Sequence, residues 1–240
     1  MRGFVVSDFL DALTNQFLLV GVLVTAGLTV AGLAGGLILG LAIALLRSSG
    51  NKVVGGVARG YIWFFRGTPL LIQMVMVYSG LPQIGIKFGV LVSVIVTLVL
   101  NEAAYMAEII RGGFLAVPAG QSDAAKALGL SRTQDLRMII LPQAIRIILP
   151  ALGNSVNGLL KATSIASVIS MEELMRRSEM IMQVKFDVLE VFTAAAVYYL
   201  VLTTLWNRVQ RWLERRFDPM GQKSAAKTIV PAIKQAALPR

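Results

Sequence analysis

The chain contains no cysteine and no histidine. Without cysteine there is no disulfide, no thiol nucleophile and no thiolate for a metal. Without histidine the commonest zinc ligand is missing, and so is the side chain best matched to proton relay near neutral pH. Charge is scarce as well: 15% of residues are charged against 56% hydrophobic, and the mean hydropathy is +0.71. A soluble domain of 240 residues does not need so much apolar surface. The scarcity is also local, since residues 18–46 form a run of 29 without one charge. About 20 residues of helix cross a bilayer, so this run reads as a transmembrane helix. Asp8 and Asp11 precede it against a single Arg2. A secretory signal has a basic start and a shorter apolar core, so the helix is expected to be retained. No G-x-x-x-x-G-K-[ST] sequence occurs either, which excludes ATP binding by that motif.

What is present is a series of apolar segments, roughly 18–46, 53–81, 88–112, 143–170 and 188–213. The expected fold class is an all-α membrane protein with five transmembrane helices. Residues 1–17 then form an extracytoplasmic N-terminal segment, residues 18–220 the transmembrane domain, and residues 221–240 a cytoplasmic basic tail. The charges between segments set the orientation. Arg47, Lys52, Arg59 and Arg66 follow the first segment with no acid, whereas only Lys87 follows the second. Arg111, Lys126, Arg132 and Arg137 follow the third against Asp123 and Asp135. Over residues 207–240 Arg208, Arg211, Arg215, Arg216, Lys223, Lys227, Lys234 and Arg240 face only Glu214 and Asp218. That excess is more than half of the net charge of +10. It is the enrichment expected of cytoplasmic loops and no sign of nucleic acid as a partner. The positive-inside rule puts the N-terminus outside and the C-terminus in the cytoplasm, with membrane lipid as surroundings.

Two segments carry internal signals. Gly32, Gly36, Gly40 and Ala44 recur every four residues in the first, a register that lets another helix approach closely. Phe65-Arg66-Gly67-Thr68-Pro69 interrupts the second. From Pro69 to Leu81 the chain is too short to cross as helix, so one long helix bent near Gly67–Pro69 is expected, with Thr68 capping the turn that Pro69 opens.

Between the third and fourth segments, at about 114–142, lies a polar stretch rich in small residues, Gly120-Gln121-Ser122-Asp123-Ala124-Ala125-Lys126-Ala127-Leu128-Gly129. Pro118 suits the first turn of a helix and the alanines sustain it with little bulk. Gly129 suits the left-handed residue that closes it. Ser131 and Gln134 form a capping box that starts the next helix, which Pro142 then breaks or bends. A short cytoplasmic helix results, with Leu128 as an apolar anchor and Asp123 and Lys126 as a charged rim.

This stretch, continued through Ile139, Leu141 and Pro142, resembles the cytoplasmic coupling loop of ABC importer permeases. Glu102-Ala103-Ala104-Tyr105-Met106-Ala107-Glu108-Ile109-Ile110-Arg111-Gly112-Gly113, Leu141-Pro142-Gln143-Ala144, Lys161-Ala162-Thr163-Ser164 and Phe64-Phe65-Arg66-Gly67-Thr68-Pro69-Leu70 resemble the polar amino acid uptake branch of that family. The likeness covers about 18–213. It implies an inner-membrane permease subunit with no enzyme activity, importing a polar amino acid or a similar solute such as an opine. The implied partners are an ATPase subunit dimer, a second permease chain and an extracytoplasmic substrate-binding protein. ATP and Mg would be bound by the ATPase, leaving no cofactor or metal in this chain. Gln121, Asp123, Ala124, Ala125, Leu128, Gly129, Leu141 and Pro142 would make the ATPase coupling. Asp123 stands where the family usually has Glu. Ala162 stands where many relatives have Asp, which weighs against a basic substrate unless a paired subunit supplies the carboxylate.

Polar residues at bilayer depth face a bundle interior or a cavity, which yields the candidates for the substrate path. Thr97, Asn101, Tyr105 and Glu108 share one face of the third segment, with Glu102 one residue off it. Asn101 and Tyr105 can hydrogen-bond an amino acid's ammonium or carboxylate, while Glu108 can pair with Arg111. In the fourth segment Lys161 can meet a carboxylate, with Thr163 and Ser164 beside it. The structural alternative pairs Lys161 with Glu102 or Glu108 and turns the hydroxyls onto helix carbonyls. Two other functions fit the composition: a secondary transporter driven by an ion gradient, and a docking subunit that transports nothing. The first calls for an acidic or histidine relay and often internal repeats; the chain has no histidine and no evident repeat.

Overall fold

The computed structural model describes residues 4–217. The tail expected at 221–240 lies outside the described residues. Every regular element among the described residues is helical: α1 (Val6–Thr14), α2 (Gln16–Arg47), α3 (Lys52–Gly67), α4 (Leu70–Val75), α5 (Val90–Leu115), α6 (Ala119–Ala127), α7 (Arg132–Gln134), α8 (Leu141–Ala162), α9 (Leu174–Lys185) and α10 (Val188–Phe217). Among the described residues four helical runs are long and apolar enough to cross a membrane: α2, α5, Arg132–Ile169 and α10. The chain is an all-α, multi-pass membrane protein.

The second expected segment is not among the four, because it is divided. Thr68 is extended at φ −114° and ψ 144°, the conformation a residue before proline prefers. Its hydroxyl donates back to the carbonyl of Phe64 at 2.8 Å. Thr68 therefore closes α3 rather than capping the next helix, and the expected bend is a complete break. Beyond α4 the chain widens by one turn over Met76–Gly80, tightens over Leu81–Ile84, and stops at Gly85, whose φ is +89°.

The described residues fall into two compact units. One takes the chain up to Arg111 together with Asn154–Leu205, and the other takes Gly112–Gly153 and the chain from Trp206 on. In the first unit Asn15 caps α2 by accepting from the Phe17 amide at 2.8 Å. The small-residue stripe of α2 packs on α5. A Cβ on Gly32 would lie 3.3 Å from Leu98 Cβ, one on Gly36 2.8 Å from Glu102 Cβ, and one on Gly40 2.5 Å from Met106 Cβ. Both partners step by four residues, so a groove on α2 takes a ridge on α5. Buried clusters flank this contact. Leu28, Met74, Val94, Leu98 and Leu159 form one, and Ile43, Ala44, Ala58, Ile62, Ala103 and Ala107 another.

The fourth expected segment ends as a tight turn over Thr163–Ile169 and stops at Ser170, at φ +64°. In the loop after it, α9 is capped by Glu173, fully buried, which accepts from the Arg176 amide at 2.8 Å. Glu173 also accepts from Thr25 of α2 and Tyr199 of α10. In the second unit Trp206 Nε1 donates to the Gly153 carbonyl at 2.9 Å, and Arg146 donates to the Phe217 carbonyl at 3.1 Å.

Candidate substrate cleft and docking loop

The first unit contains an open cleft of about 380 Å³ with Asn101, Glu102 and Tyr105 of α5 on one wall and Ser155, Gly158 and Ala162 of α8 on another. The α8 residues recur at three and four positions, so small side chains stack along one helix face. Glu102 is only 4% exposed and accepts from Ser155 Oγ at 2.7 Å. Its Cβ and Cγ are pressed against Gly36, so the α2 stripe fixes where its carboxylate stands.

Asn101 serves the break between α3 and α4. Its amide donates to the Phe65 carbonyl at 3.2 Å and to Gln73 Oε1 at 2.9 Å. Gln73 in turn donates to the Phe65 carbonyl at 2.9 Å and to the Thr68 hydroxyl at 2.8 Å. Carbonyls freed at the end of α3 thus find partners, as backbone in an apolar surround must. Tyr105, at the same cleft, is 39% exposed, and the Arg66 guanidinium lies 5.3 Å from its ring centre. That is within range of a cation–π contact.

The other candidates stand elsewhere. Glu108 is held by Arg47 and by Arg111, the latter at 2.8 Å. Thr163 is buried and donates to the Leu160 carbonyl, and Ser164 donates to the Lys161 carbonyl. Lys161 is exposed and makes no ion pair among the described residues. Neither Glu102 nor Glu108 is paired with it. The structure adds Gln73, Ser155 and Gly158. Gln73 carries a sequence signal, a polar side chain in the apolar run just after Thr68-Pro69, but its partner Asn101 is 28 residues away. Among the described residues there is no group of three or more carboxylates able to hold a metal ion.

In the second unit α6 presents Gln121, Asp123 and Ala124 and buries Ala125. Leu128 is 80% exposed. Gly129 is left-handed at φ +76°, and Ser131 with Gln134 makes the capping box. Ser122 Oγ donates to Asp135 at 2.7 Å, joining α6 to the wide turn Asp135–Ile140. Leu141 and Pro142 follow this wide turn directly, and the helical run Arg132–Ile169 continues through Pro142 instead of breaking there.

Residues 36–219 match the family described as binding-protein-dependent transport system inner membrane component. The chain belongs to this family. It is a permease subunit of an ABC importer, and its role is transport rather than catalysis. The permease is 39% identical over 201 residues to the glutamine transport system permease protein GlnP of Escherichia coli K12, covering 83% of this chain and 92% of that protein. It is 38% identical to the nopaline transport system permease protein NocM of Agrobacterium fabrum, covering 84% and 88%. Among solved structures, one of an amino acid ABC transporter with histidines aligns at a TM-score of 0.79 and 38% identity, over 83% of the permease and 94% of that chain. The MetNI methionine transporter, at 20% identity and a TM-score of 0.68 over 84% and 96%, shares the fold.

Proposed function

We propose that the permease imports a polar amino acid or an amino-acid-like solute such as an opine, and that the solute passes the cleft walled by Asn101, Glu102 and Tyr105. The carrying observation is that cleft: a fixed carboxylate, an amide and a phenol stand around a space of about 380 Å³. A zwitterion needs acceptors for its ammonium and donors for its carboxylate, and this wall offers both. Relatives that carry glutamine and nopaline support the substrate class. Ala162 lines the cleft without adding a second carboxylate, which favours a solute with no net positive charge.

Five crossings serve one chain, the second shared between α3 and α4. Two permease chains line the path together, and Lys161, with Thr163 and Ser164 beside it, stands at the edge of that path and acts on the solute carboxylate through its charge. An extracytoplasmic binding protein delivers the solute. Gln121, Asp123, Ala124, Ala125, Leu128, Gly129, Leu141 and Pro142 form the coupling surface at about 114–142, where a separate ATPase dimer, holding ATP and Mg, docks and drives alternating access. The N-terminus is extracytoplasmic and the C-terminus cytoplasmic.

The test is uptake by proteoliposomes holding the permease with its ATPase. Uptake of a polar amino acid or opine should require ATP inside and binding protein outside. Uptake driven by an ion gradient alone would overturn the reading. Topology has its own check. In right-side-out vesicles Ser7→Cys should react with a membrane-impermeant thiol reagent and Ser131→Cys should not; the reverse pattern would invert the orientation.

A further inference from the structure

A second concavity of the first unit has a different chemistry. It is a groove of about 400 Å³ between α2 and α3, lined by Leu39, Ile43 and Leu46 on one side and by Val54, Val57 and Tyr61 on the other. Tyr61, the one polar side chain among these, donates its hydroxyl to the Leu100 carbonyl at 2.6 Å, which leaves the wall apolar. Val57 is 71% exposed, so the groove opens outward.

Arginines flank the groove's apolar lining. Arg47 follows the lining residue Leu46 and Arg59 follows the lining residue Ala58, so both stand beside the groove, outside its lining. A Cβ on Gly55 would sit 3.5 Å from the Arg47 carbonyl and 3.6 Å from a guanidinium nitrogen of Arg59, so the Arg59 head lies over the turn that joins α2 to α3. Arg59, Arg66 and Arg111 all lie within electrostatic reach of Arg47. Glu108 pairs with Arg47 and Arg111. Arg59 and Arg66 have no carboxylate partner among the described residues. Four guanidiniums around one carboxylate leave the cluster strongly positive. An apolar groove beside an arginine cluster with excess positive charge, at the end of a run of 29 residues without charge, matches a lipid with a negative headgroup.

We propose that this groove is a site for one anionic phospholipid per chain, with an acyl chain along α2 and α3 and the phosphate against Arg47 and Arg59. A zwitterionic lipid offers the same chain but brings a cation to the arginines. A free phosphate offers the charge but leaves the groove unfilled.

The site is tested by native mass spectrometry of the assembled transporter, titrated with dioleoylphosphatidylglycerol, dioleoylphosphatidylcholine or inorganic phosphate. One phosphatidylglycerol per permease chain should persist at energies that strip phosphatidylcholine. Arg59→Gln should weaken its retention about fivefold, the share of one basic side chain near an anionic lipid. Val57→Trp, which fills the groove and leaves every charge in place, should weaken it at least as much. Equal retention of the two lipids, or retention unchanged in both variants, overturns the proposal. Displacement of phosphatidylglycerol by inorganic phosphate overturns it too, because the arginines would then be serving a free anion.

Discussion

The cleft and the loop proposed to dock the ATPase treat their side chains in opposite ways. Around the cleft nearly every polar group already has a partner within the chain: Glu102 has Ser155, and Asn101 has Gln73 and the Phe65 carbonyl. On the loop the side chains proposed to meet the ATPase are bare. Ala124 is exposed, Leu128 is 80% exposed, and the exposed Asp123–Lys126 pair is bound only to itself, at 3.0 Å. Polar groups in a membrane interior are expensive unless satisfied, so a permease must brace them before any solute arrives. A small-residue helix outside the membrane pays no such penalty and can be shaped for a partner. An exposed ion pair such as Asp123–Lys126 contributes about 0–1 kcal/mol. The docking proposed for the loop would therefore rest on shape and on Leu128 more than on charge.

The contrast is broken most directly at the loop. Ala124→Trp puts a large ring on an exposed face meant to be smooth. The variant should insert and remain folded, but lose ATPase association and all ATP-driven uptake, read by co-purification and by transport. Normal assembly would show that the face meets nothing.

At the cleft the effects should be graded instead of absolute. Glu102→Gln keeps the shape and an acceptor for Ser155 but removes the charge. Loss of a charged hydrogen bond costs about 1.5–3 kcal/mol, so affinity for an amino acid should fall about ten- to hundredfold with ATPase association intact. Tyr105→Phe should lose less, since the ring still carries Arg66 and only the hydroxyl goes. Unchanged uptake in Glu102→Gln would make this carboxylate a structural group.

Gly129→Val separates the loop's backbone from its surface. A β-branched residue at φ +76° is strained by about 1–2 kcal/mol. Nothing lies within 4 Å of the added Cβ, so the strain is purely conformational. Thermal stability should fall slightly, and coupling between ATP hydrolysis and uptake should loosen without being abolished.

Local chemistry was legible in the sequence, and long-range pairing was not. The left-handed Gly129 and the box of Ser131 and Gln134 follow from residue types at short spacing, and the structure has both. The stripe of Gly32, Gly36 and Gly40 announced a close helix contact, but nothing local named Leu98, Glu102 and Met106 as what it meets. The break at Thr68-Pro69 was visible as a bend; its completeness depends on Gln73 and Asn101, which satisfy the freed carbonyls from another helix. The wide turns Met76–Gly80 and Asp135–Ile140 each end two residues before a proline, Pro82 and Pro142.

Lys161 gives the finest test of the contrast. It is adjacent in sequence to Ala162, which lines the cleft, but adjacent residues on a helix point about 100° apart at 3.6 residues per turn. That step leaves Lys161 exposed and outside the cleft lining. If an exposed lysine acts on a solute carboxylate through its field, salt should screen the effect, since the Debye length is about 10 Å at 0.1 M. Lys161→Met should therefore raise the KM for uptake by less than Glu102→Gln does, about two- to fivefold, the equivalent of about 1 kcal/mol or less. The increase should fade as ionic strength rises, while the effect of Glu102→Gln, buried in the cleft wall, should persist. A salt-independent loss as large as that of Glu102→Gln would mean that Lys161 touches the solute directly when two chains close the path, and the cleft of a single chain would then be only half of the site.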